Sequence, residues 1–261
     1  MRALDLVTII ANLAPYTALA ANYDRALGRE SLRRAIATID RLVDSFALEF
    51  HSLADIGCGT GLFAAHMARC WKIGVFAVDR SHAMLREAVR NGARLPICFL
   101  RQDMRRLRLP EPVDLMTANF DVINNILWPD ELVATFKGFR RNLRPSGHLV
   151  FDFVTDRVPW LDARWRVRRL LSRSGDLWQS VTWRPASRLL FITLTQRWPE
   201  AGVQTIERHI ERGYPAPAMT ACLHRSGWSI RALLDADTLQ DAGPSSTRIV
   251  VVARAIGGRR N

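Results

Sequence analysis

The sequence predicts an α/β protein: a doubly wound, mostly parallel sheet with helices on both faces, and an antiparallel β insertion late in the chain. Three observations predict it. Apolar runs of strand length alternate with amphipathic stretches of helical period between Leu53 and Val154, which is the pattern of successive βαβ units. The first three runs close on acids, at Asp55, Asp79 and Asp103. The first is followed by a turn with alternating glycines, Gly57, Gly59 and Gly61, where the backbone can take positive φ and lie open to a ligand. With 261 residues, 48% of them hydrophobic, the chain can bury a full core of this kind.

The elements follow in order. Residues 1–20 hold an early Arg2 and an Ala18-Leu19-Ala20 triplet that imitates a signal-peptide site, but Asp5, Asn12 and Pro15 interrupt the apolar stretch and argue against secretion. Ser31 is placed to cap a helix with Leu32, Ala35, Ile39, Leu42, Val43 and Phe46 on one stripe. The strand ending Leu53-Ala54-Asp55-Ile56 then enters the glycine turn, and a helix opens at Leu62. Unpaired N–H groups and the positive end of that helix face the crevice at the strand's carboxyl end, where nucleotides bind in open α/β sheets.

The spacing decides which nucleotide. Dinucleotide sites use G-x-G-x-x-G, whereas this turn is G-x-G-x-G, and no Walker loop is present. Asp55, two residues before the first glycine, would repel a pyrophosphate and attract an ammonium. A nicotinamide oxidoreductase is excluded on that spacing. The second strand ends at Asp79, 18 residues after Gly61, where a carboxylate can accept from both hydroxyls of a ribose. Ser81 caps the next helix, with Met84, Leu85, Ala88 and Val89 on one face and Asn91-Gly92 as its stop. A third strand runs from Ile97 towards Asp103-Met104, and a fourth from Val113 to Phe120. A helix with Asp130 and Glu131 at its start and Arg140 and Arg141 at its end follows, then a turn over 143–147 and a strand over His148 to Val154.

The residues Asp55-Ile56-Gly57-Cys58-Gly59-Thr60-Gly61 resemble motif I of the class I S-adenosylmethionine-dependent methyltransferases at every fixed position. The resemblance implies a Rossmann-like seven-stranded sheet and S-adenosyl-L-methionine as cofactor. It assigns the cofactor to Tyr23, Asp55, Gly57, Cys58, Gly59, Asp79, Arg80, Met84, Asp103, Met104 and Asn119, with Asp103 and the Met104 backbone reading adenine. Tyr16 to Asp24 resembles the Y-x-x-L-A-x-x-Y-D segment that folds over the cofactor in this family. Asp121 and Asn124 match the D-x-x-N pattern of its small-molecule members, and the N-P-P-Y box of base-amino methylation is missing.

Methyl transfer is an in-line displacement, so the protein chiefly aligns the acceptor and excludes water. A general base matters only for an acceptor that arrives protonated. Asp121 and His209 are the candidates for that role. Tyr16, Phe120, Asn124, Trp128 and Trp160 are candidates for the acceptor pocket. The expected activity is methylation of a nitrogen or oxygen on a small specialised metabolite. An RNA- or protein-directed methyltransferase of the same fold, and a non-catalytic partner subunit, remain as alternatives.

Past Val154 the chain departs from a bare core. Arg157, Arg164, Arg166, Arg168, Arg169 and Arg173 are followed by three strand-like runs, Asp176 to Arg184, Arg188 to Trp198 and Val203 to Glu211. The expected organisation is a core formed by 1–155 and 215–261, with 156–214 as an antiparallel insertion that serves as a lid or a homodimer contact. The formal charge is +12, and with Lys72 and Lys137 the only lysines, 35 of 37 basic residues are arginine. They are spread along the chain and no RNA-binding module accompanies them, which argues against nucleic acid. Cys58, Cys70, Cys98 and Cys222 lack C-x-x-C spacing, which points to a reduced, cytoplasmic setting without structural metal. No apolar run approaches the length of a membrane span.

Overall fold

The computed structural model describes residues 9–157, 167–172 and 175–256. Trp160, Arg164, Arg166 and Arg173 lie outside the described residues. The chain begins with β1 (Ile9–Leu13), α1 (Ala20–Tyr23), a π-helical turn at Asp24–Gly28 and α2 (Arg29–Phe46). Three βα units follow: β2 (Ser52–Ile56) with α3 (Leu62–Cys70), β3 (Gly74–Asp79) with α4 (His82–Asn91), and β4 (Ile97–Arg101) leading into β5 (Val113–Ala118) and α5 (Pro129–Arg141). The remainder is β6 (Leu143–Val154), β7 (Val167–Leu170), β8 (Asp176–Arg184), β9 (Leu189–Trp198), β10 (Val203–Arg212), α6 (Ala216–Arg225), β11 (Trp228–Asp235) and β12 (Arg248–Ala255).

Two sheets result. The larger has seven strands in the order β11-β12-β6-β5-β2-β3-β4. β2 to β6 run parallel, and β12 and β11 close the edge antiparallel. Its central strands are buried on both faces, so Leu53, Ala54 and Ile56 of β2 are sealed from solvent and show no alternation. One apolar layer gathers Phe136, Phe139, Phe151, Phe153 and Trp228; the opposite layer gathers Ile39, Leu42, Phe63, Met67 and Val252. Trp228 is fully buried and its indole N–H donates to Phe136 O at 3.2 Å, which removes the penalty of burying it. The smaller sheet has the order β1-β10-β9-β8-β7, antiparallel except that β1 pairs parallel with β10.

Three local expectations are corrected. Ser31 does not cap α2, because the chain arrives already helical through α1 and the π turn; the helix starts at Arg29 and Ser31 lies in its first turn. The strand expected from His148 starts at Leu143, since Val113 pairs with Leu143 ahead of a register shift. Ile9–Leu13, read as part of a leading segment of the core, adds a strand to the smaller sheet, where it is the edge partner of Val203 to Glu207. Among the described residues no helix is long and apolar enough to cross a membrane.

Candidate functional site

Parallel strands put their carboxyl ends on one side, and the order of the larger sheet reverses direction at β2, which has β5 on one flank and β3 on the other. At that point lies a cavity of about 160 Å³, walled by the glycine turn, the ends of β3 and β5, the segment after β4, and the first turn of α2. All eleven residues expected to hold the cofactor line it: Tyr23, Asp55, Gly57, Cys58, Gly59, Asp79, Arg80, Met84, Asp103, Met104 and Asn119.

Three glycines in the turn have positive φ, but they serve different ends. A Cβ on Gly57 would meet Val122 at 2.4 Å, and one on Gly61 would meet Ala88 at 2.8 Å, so these two permit close packing. At Gly59 the nearest neighbour of such a Cβ is Tyr23 at 4.0 Å, so this glycine leaves its backbone open to the cavity. Of the three glycines, Gly59 is thus the one that keeps space for a ligand.

The acids at the strand ends have distinct surroundings. Asp55 is buried and accepts from the Thr117 hydroxyl at 3.0 Å; burial pushes its carboxyl up to about 7 against that hydrogen bond. Asp79 accepts from Gly59 N at 2.9 Å and Ser81 N at 2.7 Å, yet burial outweighs these amides and raises its carboxyl too. Asp103 is bound by its own neighbour, with Arg105 Nη2 at 2.6 Å and Nε at 3.0 Å, and that hydrogen bonding holds it below the usual carboxylate range. An adenine amine would share Asp103 with this guanidinium. Arg105 itself lines the cavity, as do Gln102, Thr60 and Ser31, which the sequence reading missed.

The open backbone at Gly59, a buried Asn119 amide nitrogen without a hydrogen-bond partner among the described residues, and two carboxyls raised by burial form a donor and acceptor set. It fits a cationic amino acid joined to a nucleoside, and no phosphate. S-adenosylmethionine has that chemistry.

At the other end of the cavity Tyr16 and Tyr23 of the leading segment form the wall, and β10 holds that segment in place. Glu207, on the inward face of β10, accepts from the backbone N–H of Tyr16 at 2.8 Å and Leu19 at 3.0 Å, and from Ala18 N, so one carboxylate straps the segment across the mouth. Burial works to raise that carboxyl, but the His209 contact and the amides outweigh it and hold it low. Tyr16 has φ +62°, as do Phe120 and Asp121 after β5, a conformation that costs about 1–3 kcal/mol per residue unless the surroundings enforce it. Glu207 enforces the first. Asp152 enforces the second by accepting from Phe120 N at 2.5 Å.

Of the residues expected around the acceptor, Tyr16 and Phe120 line the cavity. Asn124 does not: both donors of its buried amide go to Val154 O at 2.9 Å and Arg212 O at 2.6 Å, and it stitches β6 to β10. Trp128 is 63% exposed, with the Arg212 guanidinium 5.9 Å from its ring, and does not line the cavity. Asp121 does not present a free carboxylate, because it is paired with Arg248. His209, expected as a candidate base, is 5% exposed, stands edge-on to Tyr16 at 4.5 Å, and has Nε2 3.4 Å from Glu207 Oε2. The sequence signal for this row was the alternation Glu207, His209, Glu211 along β10, which places all three on one buried face.

Arg248 bridges Asp121 and Asp152. It reaches them because β12 runs opposite to β6, so its first residue pairs with Val154 at the functional end of the sheet. Beyond Phe120 a second cavity of about 310 Å³ shares Ser31, Asn119 and Phe120 with the first and includes Asp152, Arg168 and Arg248 in its wall.

Comparison with known proteins agrees with this geometry. A family model described as a methyltransferase domain matches residues 53–147. The chain is 26% identical to the cypemycin N-terminal methyltransferase of a Streptomyces species over 71% of this chain and 69% of that protein. It is 32% identical to the dTDP-3-amino-3,4,6-trideoxy-alpha-D-glucopyranose N,N-dimethyltransferase of Streptomyces venezuelae over 46% of each. Among solved structures, an S-adenosylmethionine-dependent methyltransferase from Clostridium acetobutylicum superposes with a TM-score of 0.74 at 23% identity, covering 90% of this chain and 96% of that one.

Proposed function

We propose that the chain is a class I S-adenosylmethionine-dependent methyltransferase that methylates an amine nitrogen of a small specialised metabolite; the methyltransferase-domain match over residues 53–147 and the similarity to named methyltransferases support this reading. The observation that carries the small-molecule reading is the segment laid over the cavity. Tyr16 and Tyr23 stand in its wall, the segment between them is strapped down by Glu207, and a second cavity adjoins the first at Phe120. A polymer substrate calls for an open basic groove. Nitrogen is favoured because two relatives are named for an N-terminus and for N,N-dimethylation of an amino sugar.

The bound cofactor supplies a methyl group on a positively charged sulfur, open to displacement. The protein residues hold and orient. Asp55, fixed by Thr117, is the partner for the amino-acid ammonium, and Asp79 for the ribose hydroxyls. Gly59 lets the backbone approach, and Met84 with the Asp103–Arg105 segment frames the adenine end. Tyr16 and Phe120 exclude water from the acceptor side, which strengthens every charge interaction within. Four unpaired cysteines support a cytoplasmic setting, and exposed Trp178 and Ile210 on the outward face of the smaller sheet are where a homodimer contact would form.

Calorimetric titration with S-adenosylhomocysteine and with NADH tests the reading: micromolar binding of the first alone is expected, followed by single-methyl mass gains on amines in a screen that includes phenols and RNA. Binding of NADH instead, or methylation of RNA alone, overturns it.

A further inference from the structure

Glu211 is the member of the inward row on β10 for which the described residues supply no partner. It is 6% exposed and has neither a hydrogen bond nor an ion pair among them. Glu207, four residues earlier, is by contrast saturated by backbone amides. The titratable groups whose charge couples to Glu211 are Tyr16 and Tyr23 from the leading segment and α1, Asp121 after β5, Asp152 on β6 and Arg248 on β12, while β9, its partner strand there, sets the apolar Leu190 opposite it. His209 and Glu207 precede it on its own strand. Asp121 and Asp152 already share the one guanidinium. A third negative charge here has no counterpart among the described residues, and burial, followed by the charge of Asp121, keeps the Glu211 carboxyl protonated well above the ordinary range.

A buried carboxyl without a partner is costly, and this one shares the inward face of β10 with Glu207 and His209, both of which touch Tyr16 in the wall of the cavity. Resting on the methyltransferase reading, we propose that Glu211 is the counter-charge of the site: it gives up its proton when the positively charged methyl donor binds, and takes the proton that the methylated nitrogen releases. The bookkeeping of atoms closes. The lone pair of the acceptor nitrogen forms the N–C bond as the C–S bond breaks, and that bonding pair stays on sulfur as a neutral thioether. The positive charge moves to nitrogen, whose proton passes to the Glu211 carboxylate, leaving a neutral amine and a carboxylic acid. Asp121 and His209 are less suited to this step, since Arg248 holds the one and Glu207 attends the other.

The test compares S-adenosylmethionine, which carries the sulfonium, with S-adenosylhomocysteine, which does not. Calorimetric titration at neutral pH in two buffers of different protonation enthalpy gives the protons released per ligand bound. Both ligands carry the same ammonium and ribose, so the contributions of Asp55 and Asp79 cancel in the difference. The expected result is greater proton release with S-adenosylmethionine, lost in Glu211→Gln while both ligands still bind. With an amine acceptor, the same variant lowers kcat by about 10²-fold or more and leaves KM for the donor nearly unchanged. Equal proton release by the two ligands in the unmodified protein overturns the proposal whatever the variant does, as does a difference that survives in Glu211→Gln. If neither ligand binds the unmodified protein, the methyltransferase reading falls and this proposal with it; if both bind with equal release, only the role of Glu211 falls.

Discussion

Asp79 and Asp152 each stand near the end of a parallel strand beside connected cavities, yet their negative charges are held by different means. Asp79 takes two backbone amides, from Gly59 and Ser81, both within or next to its own βα unit or the preceding turn. Asp152 takes one amide from Phe120 and the guanidinium of Arg248, 96 residues further along the chain. The cofactor end is thus built from local backbone that exists whenever the parallel sheet forms. The proposed acceptor end is built from side-chain charges delivered by β10 and β12.

Breaking the charged end should have the larger effect on stability. Arg248→Met leaves Asp121 and Asp152 without their cation and is expected to lower unfolding free energy by about 3–5 kcal/mol, read from denaturant midpoints. A loss under about 1 kcal/mol would mean that water already solvates the pair. Breaking the backbone end should act on binding instead. Gly59→Val sends a side chain into the cavity from a backbone at φ +55° and is expected to weaken S-adenosylhomocysteine about 100-fold, or about 2.7 kcal/mol, with a smaller loss of stability. Gly57→Arg is the control: its Cβ strikes Val122, so it should cost folding as well as binding. If both variants lose only affinity, the distinction drawn between the two glycines is wrong.

Asp79→Ala should weaken the same ligand by about 1–3 kcal/mol through lost charged hydrogen bonds, and unchanged affinity would reduce Asp79 to a loop-capping acid. The smallest expected effect concerns pH and separates Asp55 from the other acids. In the empty folded protein its carboxyl keeps a proton up to about 7, whereas the unfolded chain loses it near 3.8. The folded state therefore binds more protons between those values, and Asp55 costs stability as pH rises across that window. A ligand ammonium requires the ionised form, so affinity for S-adenosylhomocysteine should rise about tenfold from pH 6 to pH 8. Asp55→Asn should flatten that rise, and an unaltered slope would assign it to another group.

Much of the cofactor end was legible along the chain. Asp55, Gly59, Asp79 and Met104 lie within or directly after single βα units, where a strand, its turn and the next helix fix the geometry over fewer than a dozen residues. Asn124, Trp128 and His209 were harder to place for the opposite reason. Whether Asn124 meets a ligand or two strand carbonyls depends on where Val154 and Arg212 come to lie. Whether His209 is on the surface or packed edge-on to Tyr16 depends on which face of the smaller sheet meets the leading segment.

The sequence by itself determined the fold class, the glycine turn, the row of acids and, through the spacing of that turn, the kind of nucleoside bound, because each follows from short-range backbone geometry and side-chain chemistry. Only the tertiary structure decided that Glu207 straps the mouth, that Arg248 balances Asp121 and Asp152, and that Glu211 is left unbalanced. Those outcomes depend on an antiparallel final strand and on the face that β10 turns inward, and pairings between residues so far apart in the chain leave no trace in local pattern.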